Sequence, residues 1–188
     1  MGRFRLALLL VLVAAVGAST SDYRSVKQKF SVLEKGAAKP GSHITITPKE
    51  LNAYVKQDVS EAAPDGFRNP EVWLGNGQAS GKAHIDFLKI RRATGSAEPN
   101  WILRKLLEGE REVTVTTRVD SGEGMATVNV EQVEISGVPI SGAALDYLVE
   151  NYLIPRYPEA KIGKPFEIGH GIDRFEIRPD GVRIVMAR

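Results

Sequence analysis

Val113-Thr114-Val115-Thr116-Thr117-Arg118-Val119-Asp120-Ser121-Gly122-Glu123-Gly124-Met125-Ala126-Thr127-Val128-Asn129-Val130 is the stretch that decides the fold class. Val113, Val115, Thr117 and Val119 recur at every second position, which is the period of a strand with one face against a core. Asp120 to Gly124 is glycine-rich and acidic, a turn, and Ala126, Val128 and Val130 carry the same period back. The apolar phase then slips to Val133 and Ile135. A slip of one residue moves a strand's apolar set to its other face, so a β-bulge is expected near Glu131-Gln132.

Upstream, His43-Ile44-Thr45-Ile46-Thr47 reads as a short strand leading into Thr47-Pro48-Lys49-Glu50. That is a capping box with proline at the first helical position. Thr47 can accept the Glu50 amide while the Glu50 carboxylate reaches back. Leu51, Val55 and Val59, with Tyr54 beside them, supply the buried stripe of the helix. Phe67 to Leu74 and Ala79 to Ile90 read as strands around a Gly75-Asn76-Gly77-Gln78 turn, with Ala83, Ile85 and Phe87 on one face. Residues 94–100 are a polar break. Trp101 to Leu107 is a short helix capped by Asn100 and stopped at Gly109.

Downstream, Ser141 is expected to cap a helix bearing Leu145, Leu148, Val149, Tyr152 and Leu153, ended by Pro155. Phe166 to Ile168, Ile172 to Arg178 and Val182 to Met186 close the chain as strands, the last two around an Asp180-Gly181 turn. Near the start, Tyr23, Val26, Phe30 and Leu33 place a helix over 22–34, followed by a linker at Lys35 to Gly41. There is no βαβ alternation and no internal repeat. The expected class is α+β, with an extended, strongly curved antiparallel sheet wrapped around one or two helices. The expected organisation is a signal peptide over 1–18, a helical lead-in and linker over 19–42, and a single α+β domain over 43–188.

The export reading rests on three adjoining features. Arg3 and Arg5 give a positive start, Leu6 to Val16 an unbroken apolar run, and Val16-Gly17-Ala18 the small residues that signal peptidase requires. The run is well short of the roughly 20 residues a membrane-spanning helix needs. The expected location is periplasmic or secreted after cleavage, with an uncleaved anchor as the alternative. Lipid attachment at a processed N-terminus would need a cysteine, and the chain has none.

Cleavage also changes the charge. The chain carries 25 Lys+Arg and 23 Asp+Glu. Residues 1–18 hold two arginines and no acid, so the remainder balances at 23 to 23. That neutrality, and the lack of any long basic block, argue against nucleic acid as a partner. Without cysteine there is no disulfide framework, so an ordinary apolar core must stabilise the domain.

No arrangement of reactive residues stands out. His43, His84 and His170 are dispersed and have no His-x-His or His-x-x-x-His spacing, so no metal ligand set is expected. Ser80-Gly81 and Ser136-Gly137 lack the flanks of a nucleophile elbow. Gly75 to Gly81 is glycine-rich but leads into a strand, so no helix N-terminus is offered to a phosphate. No catalytic residue and no cofactor are assigned. What remains is apolar surface. Leu51, Val55, Ile85, Phe87, Trp101, Leu106, Leu145 and Leu148 are the candidate lining of an interior groove for a lipid or other apolar small molecule. The same positions suit an ordinary core. The Trp101 helix, with Arg104 and Lys105, is also suited to peripheral membrane contact.

Ile44-Thr45-Ile46-Thr47-Pro48-Lys49-Glu50-Leu51-Asn52-Ala53-Tyr54, Gly81-Lys82-Ala83-His84-Ile85-Asp86 and Ile135-Ser136-Gly137-Val138-Pro139-Ile140 together resemble elements of bacterial exported proteins of the YpmS-like and LmeA-like families. Those are similar in turn to the tubular, lipid-binding TULIP and AsmA-like folds. The resemblance implies a curved sheet on a helix with an apolar interior for acyl chains, and it brings no catalytic residues. The expected function is therefore a non-enzymatic exported binder of an apolar ligand, a carrier or envelope-maintenance factor. The alternative is a structural or protein-interaction module of the envelope without a ligand cavity. N-terminal sequencing of the secreted or periplasmic protein is expected to begin at Ser19; a start at Met1 overturns cleavage in favour of the uncleaved anchor.

Overall fold

A capped helix buried against two antiparallel sheets organises the chain. The computed structural model describes residues 20–59, 66–94, 98–154 and 162–188; of residues 59 and 91–94 it describes the backbone alone. The proposed signal segment, residues 95–97 of the polar break and Pro155 lie outside the described residues, as does the Val59 side chain.

In chain order the elements are α1 (Thr20–Glu34), β1 (His43–Ile46), α2 (Pro48–Tyr54), β2 (Phe67–Leu74), β3 (Gln78–Asp86), α3 (Phe87–Thr94) and α4 (Trp101–Leu106). They continue as β4 (Glu110–Gly122), β5 (Met125–Ile135), β6 (Val138–Pro139), α5 (Ala143–Leu148), β7 (Phe166–Glu167), β8 (Ile172–Arg178) and β9 (Gly181–Met186). Helices α2 and α5 each run on into a wider π-helical turn, Val55–Val59 and Val149–Leu153. The class is α+β, and the strands form two sheets. One has three strands in the order β1-β9-β8; the other runs β2-β3-β4-β5-β6, with β7 also paired to β5.

The long hairpin is as its alternation predicts. Val113, Val115, Thr117 and Val119 are buried along β4. The turn is tighter than Asp120 to Gly124. Gly122 pairs with Met125, and Glu123 and Gly124, both at positive φ, make the whole connection. Positive φ at both central residues matches the twist of the two strands. Thr116 faces Gln132 and Thr117 faces Val130, so Glu131 is the extra residue of a bulge. That bulge keeps Val133 and Ile135 buried despite the slip in phase.

A polar seam joins the sheets. The free edge of β8 receives Gly77 N–H at the Ile177 carbonyl (3.0 Å) and Gly124 N–H at the Asp173 carbonyl (2.9 Å). Between them, Ser121 Oγ donates to the Phe175 carbonyl (3.0 Å) and accepts the Phe175 N–H (2.9 Å). An edge strand otherwise exposes a row of unpaired groups, and here two hairpin turns of the larger sheet satisfy them. The outer edge of β2 is closed by a side chain: Asn52 donates to the Val72 carbonyl (3.2 Å) and accepts the Val72 N–H (3.3 Å).

Two apolar clusters form the core. The first joins Val26, Phe30 and Leu33 of α1 to Ile46, Leu51 and Val55, and to Ile172, Val182, Ile184 and Met186 of the smaller sheet. The helix expected as a lead-in thus packs directly into the domain. The second cluster lies over β4 and β5. Gly181 lets β9 approach β1, since a Cβ there would stand 2.7 Å from the Ile46 carbonyl oxygen.

The expected capping box is present, and it carries more than the local sequence implies. Thr47 Oγ1 accepts the Glu50 N–H and Glu50 Oε2 accepts the Thr47 N–H at 2.8 Å. Glu50 is only 5% exposed. Its carboxylate also accepts from Ser25 Oγ (2.5 Å) and from Lys29 Nζ (2.6 and 2.7 Å), both on α1. Lys29 Nζ reaches the Thr45 carbonyl as well, at 2.6 Å. Burial alone would raise this carboxyl, but the Lys29, Ser25 and Thr47 donors outweigh burial and hold it below its ordinary value. A carboxyl depressed in the folded state adds stability that is complete above its unfolded value, about 4.3, and is lost as pH falls through the folded one. Glu50→Gln is expected to cost about 2 kcal/mol near neutral pH, from lost charge-assisted bonds. Urea titrations over a pH series should show that gap closing below about pH 4; a constant gap would mean the pair contributes nothing.

Candidate functional site

The candidate site is the second cluster, where three short helices lie over one end of the β4–β5 hairpin. Its floor is Val113, Val115, Val133 and Ile135, with Ile140 beside them. Alternation supplies that floor, because every second residue of each strand faces the helices.

Helix α3 departs from the strand expected over Ala79 to Ile90. The strand stops at Asp86 because the Asp86 carboxylate accepts the Lys89 N–H at 3.1 Å and pairs with Lys89 Nζ at 3.3 Å. An aspartate at this position satisfies an orphaned amide of the first helical turn and starts a helix. Phe87 and Ile90, one turn apart, are then buried on the same side. Chiefly through the Lys89 amide, the Asp86 carboxyl is held below its ordinary value.

Helix α4 is capped as expected, with the Leu103 N–H donated to Asn100 Oδ1 at 3.0 Å. Leu103 and Leu107 are buried and Leu106 is half-buried. Gly109 at positive φ ends the segment. Helix α5 starts differently from expectation: Gly142, not Ser141, is the cap residue, and no side-chain cap bond forms. Gly142 adopts φ 55°, where glycine is free of strain and a serine would not be. Leu148 packs against the floor, and the Tyr152 ring meets Phe87 edge-on at 5.1 Å and Tyr147 at 6.2 Å. This aromatic contact ties α5 to α3.

Of the eight predicted lining residues, Ile85, Phe87, Leu106, Leu145 and Leu148 are brought together here. Leu51 and Val55 are not; both are fully buried in the first cluster, beneath α1. Trp101 lines no interior, since it is 72% exposed. The eight therefore do not share one groove. Sequence reasoning left Leu107 and the strand floor out of the lining, and with them Tyr147 and Tyr152; the helical stripe through Leu145 and Leu148 was the signal that could have placed Tyr152. With Phe87 assigned to a strand, the partner of Tyr152 was hidden.

The histidines stay apart. His84 Nδ1 lies 3.4 Å from Glu110 and Nε2 3.9 Å from Glu112, in a surface array with Lys82 and Arg68. His43 is exposed, and His170 sits in the Gly169–Gly171 loop. Among the described residues no three His, Cys, Asp or Glu are placed to hold a metal ion, and no helix is long and apolar enough to cross a membrane. Comparison with protein families, with curated proteins and with solved structures finds no match. Asp86→Ala is expected to cost about 1 kcal/mol in chemical denaturation, the worth of a helix cap. Asp86→Asn should recover most of it, and equal losses from both would remove the capping role.

Proposed function

We propose that this is an exported, non-enzymatic protein that buries an apolar ligand, the acyl chain of a lipid, between α3, α4 and α5 and the β4–β5 floor. The carrying observation is the ring of half-buried apolar side chains, Leu106, Leu145, Tyr147 and Tyr152, around that buried floor. Short helices held by few anchors can part from a sheet at low cost. A ligand entering there would meet hydrocarbon on every side, and each methylene removed from water contributes about 0.8 kcal/mol. Export is supported by the Arg3–Ala18 segment.

The finer architecture belongs to the same proposal. A curved wall around the helices is supported by the length of β4 and β5, by the bulge at Glu131, and by the seam that carries the wall into the smaller sheet. Kinship with YpmS-like and LmeA-like exported proteins rests on the strand, capping box and Leu51-Asn52-Ala53 segment.

Native mass spectrometry of the protein recovered from its export compartment, followed by lipid extraction, is the direct test. A stoichiometric apolar adduct is expected. Leu145→Asp, at a half-exposed position, should abolish the adduct and leave the fold intact, whereas Leu51→Asp, fully buried elsewhere, should unfold the protein. A bare mass, unchanged after incubation with envelope lipids, overturns the proposal in favour of an interaction module.

A further inference from the structure

We infer that helix α4 is a docking tip for a bilayer surface bearing anionic headgroups. The helix divides cleanly: Leu103 points into the protein with Leu107 below it, while Trp101 and Ile102 are 72% and 60% exposed. Arg104 and Lys105 are exposed too, and helical geometry sets both beside Trp101, three and four residues on. Neither cation is paired with a carboxylate among the described residues. The outer face is thus an apolar wedge backed by two exposed cations that form no ion pair among the described residues.

Size and charge select the occupant. The exposed parts of one Trp and one Ile amount to roughly 300 Å², against about 800 Å² per partner for a stable protein interface. A second copy of the chain or a folded protein would need far more apolar surface than this six-residue helix offers. A membrane interface does not. Tryptophan settles at headgroup depth, isoleucine reaches the acyl boundary, and the two long cations stay among phosphates. With Lys+Arg exceeding Asp+Glu by only two over the whole chain, attraction would come from this local pair rather than from a general field. Ile102 also lies one turn from Leu106, at the rim of the second cluster. Docking at α4 would bring a bilayer to the proposed acyl-chain site, though it does not depend on that site.

The chain contains two tryptophans, so Trp73→Phe leaves Trp101 as the sole fluorescent reporter. The exported protein, recovered from its compartment without residues 1–18, is mixed with vesicles of bromine-labelled phosphatidylcholine, alone or equimolar with phosphatidylglycerol. Trp101 emission is expected to be quenched strongly on the anionic vesicles and weakly on the neutral ones. Arg104→Gln with Lys105→Gln should lower partition into the anionic vesicles by about thirtyfold. Ile102→Ser should weaken it as well. All four changed positions are solvent-accessible, so thermal melting is expected to be unaltered.

Absent quenching, or equal quenching on both vesicle types that the charge change leaves untouched, overturns the inference. So does shielding of Trp101 that rises with protein concentration without lipid, which would assign the patch to a second copy. Quenching retained by a protein without an apolar adduct would support the tip and remove the groove; an adduct retained without quenching would remove the tip alone.

Discussion

A single buried carboxylate sets the geometry of the first core. Glu50 is the third residue of α2, yet its partners lie both at its own helix start, Thr47, and on a second helix, Ser25 and Lys29 of α1. A charge this deeply buried is tolerated only when its acceptor positions are filled. The two helices are consequently held at one relative position, which seats Val26, Phe30 and Leu33 against Leu51, Val55 and Ile46. Lys29 extends the lock to the end of β1 through the Thr45 carbonyl. Apolar packing provides the larger energy here, but it is non-directional, and the carboxylate supplies the direction.

From that anchor the rest of the fold follows by closing edges. Asn52, two residues after Glu50, uses one amide to satisfy both backbone groups of Val72. The hairpin turns at Gly77 and Gly124, with Ser121 between them, do the same for β8. The two sheets meet through these polar contacts, and Ala126 and Ala83 from the larger sheet contribute small side chains to the first cluster. The larger sheet then has its other end free to build a second cluster under α3, α4 and α5. That second cluster is differently constructed. Its helices are short, one lacks a side-chain cap, and most of the side chains those helices bring to it are only half-buried. Such a region is expected to open at lower free energy than the α1–α2 core, which is why the apolar-ligand reading is located there.

Where the chain's own neighbours decide conformation, the sequence was legible. The capping box at Thr47–Glu50, the Asn100 cap, the alternation from Val113 to Val119 and the bulge at Glu131 are each set by residues within a few positions of one another. Periodicity and cap chemistry report just such local constraints. The strand read through to Ile90 failed for a local reason as well. Ala83, Ile85 and Phe87 alternate, but Asp86 can cap, and the competition between a capped helix and a continued strand went to the helix because Phe87 finds Leu107, Leu148 and Tyr152 to pack on. Ser141 was passed over as a cap in the same way, since positive φ at the helix start needs glycine.

The sequence by itself determined the α+β class and the positions of most elements. Only the tertiary structure decided which apolar residues share a cluster. It separated Leu51 and Val55 from Ile85, Phe87, Leu106, Leu145 and Leu148, and it left Trp101 outside both. It also gave Glu50 its α1 partners and Ser121 its bonds to Phe175, a residue far along the chain. The physical reason is that burial and hydrogen-bond pairing depend on contacts between segments distant in sequence, whereas periodicity records only which side of its own element a residue occupies.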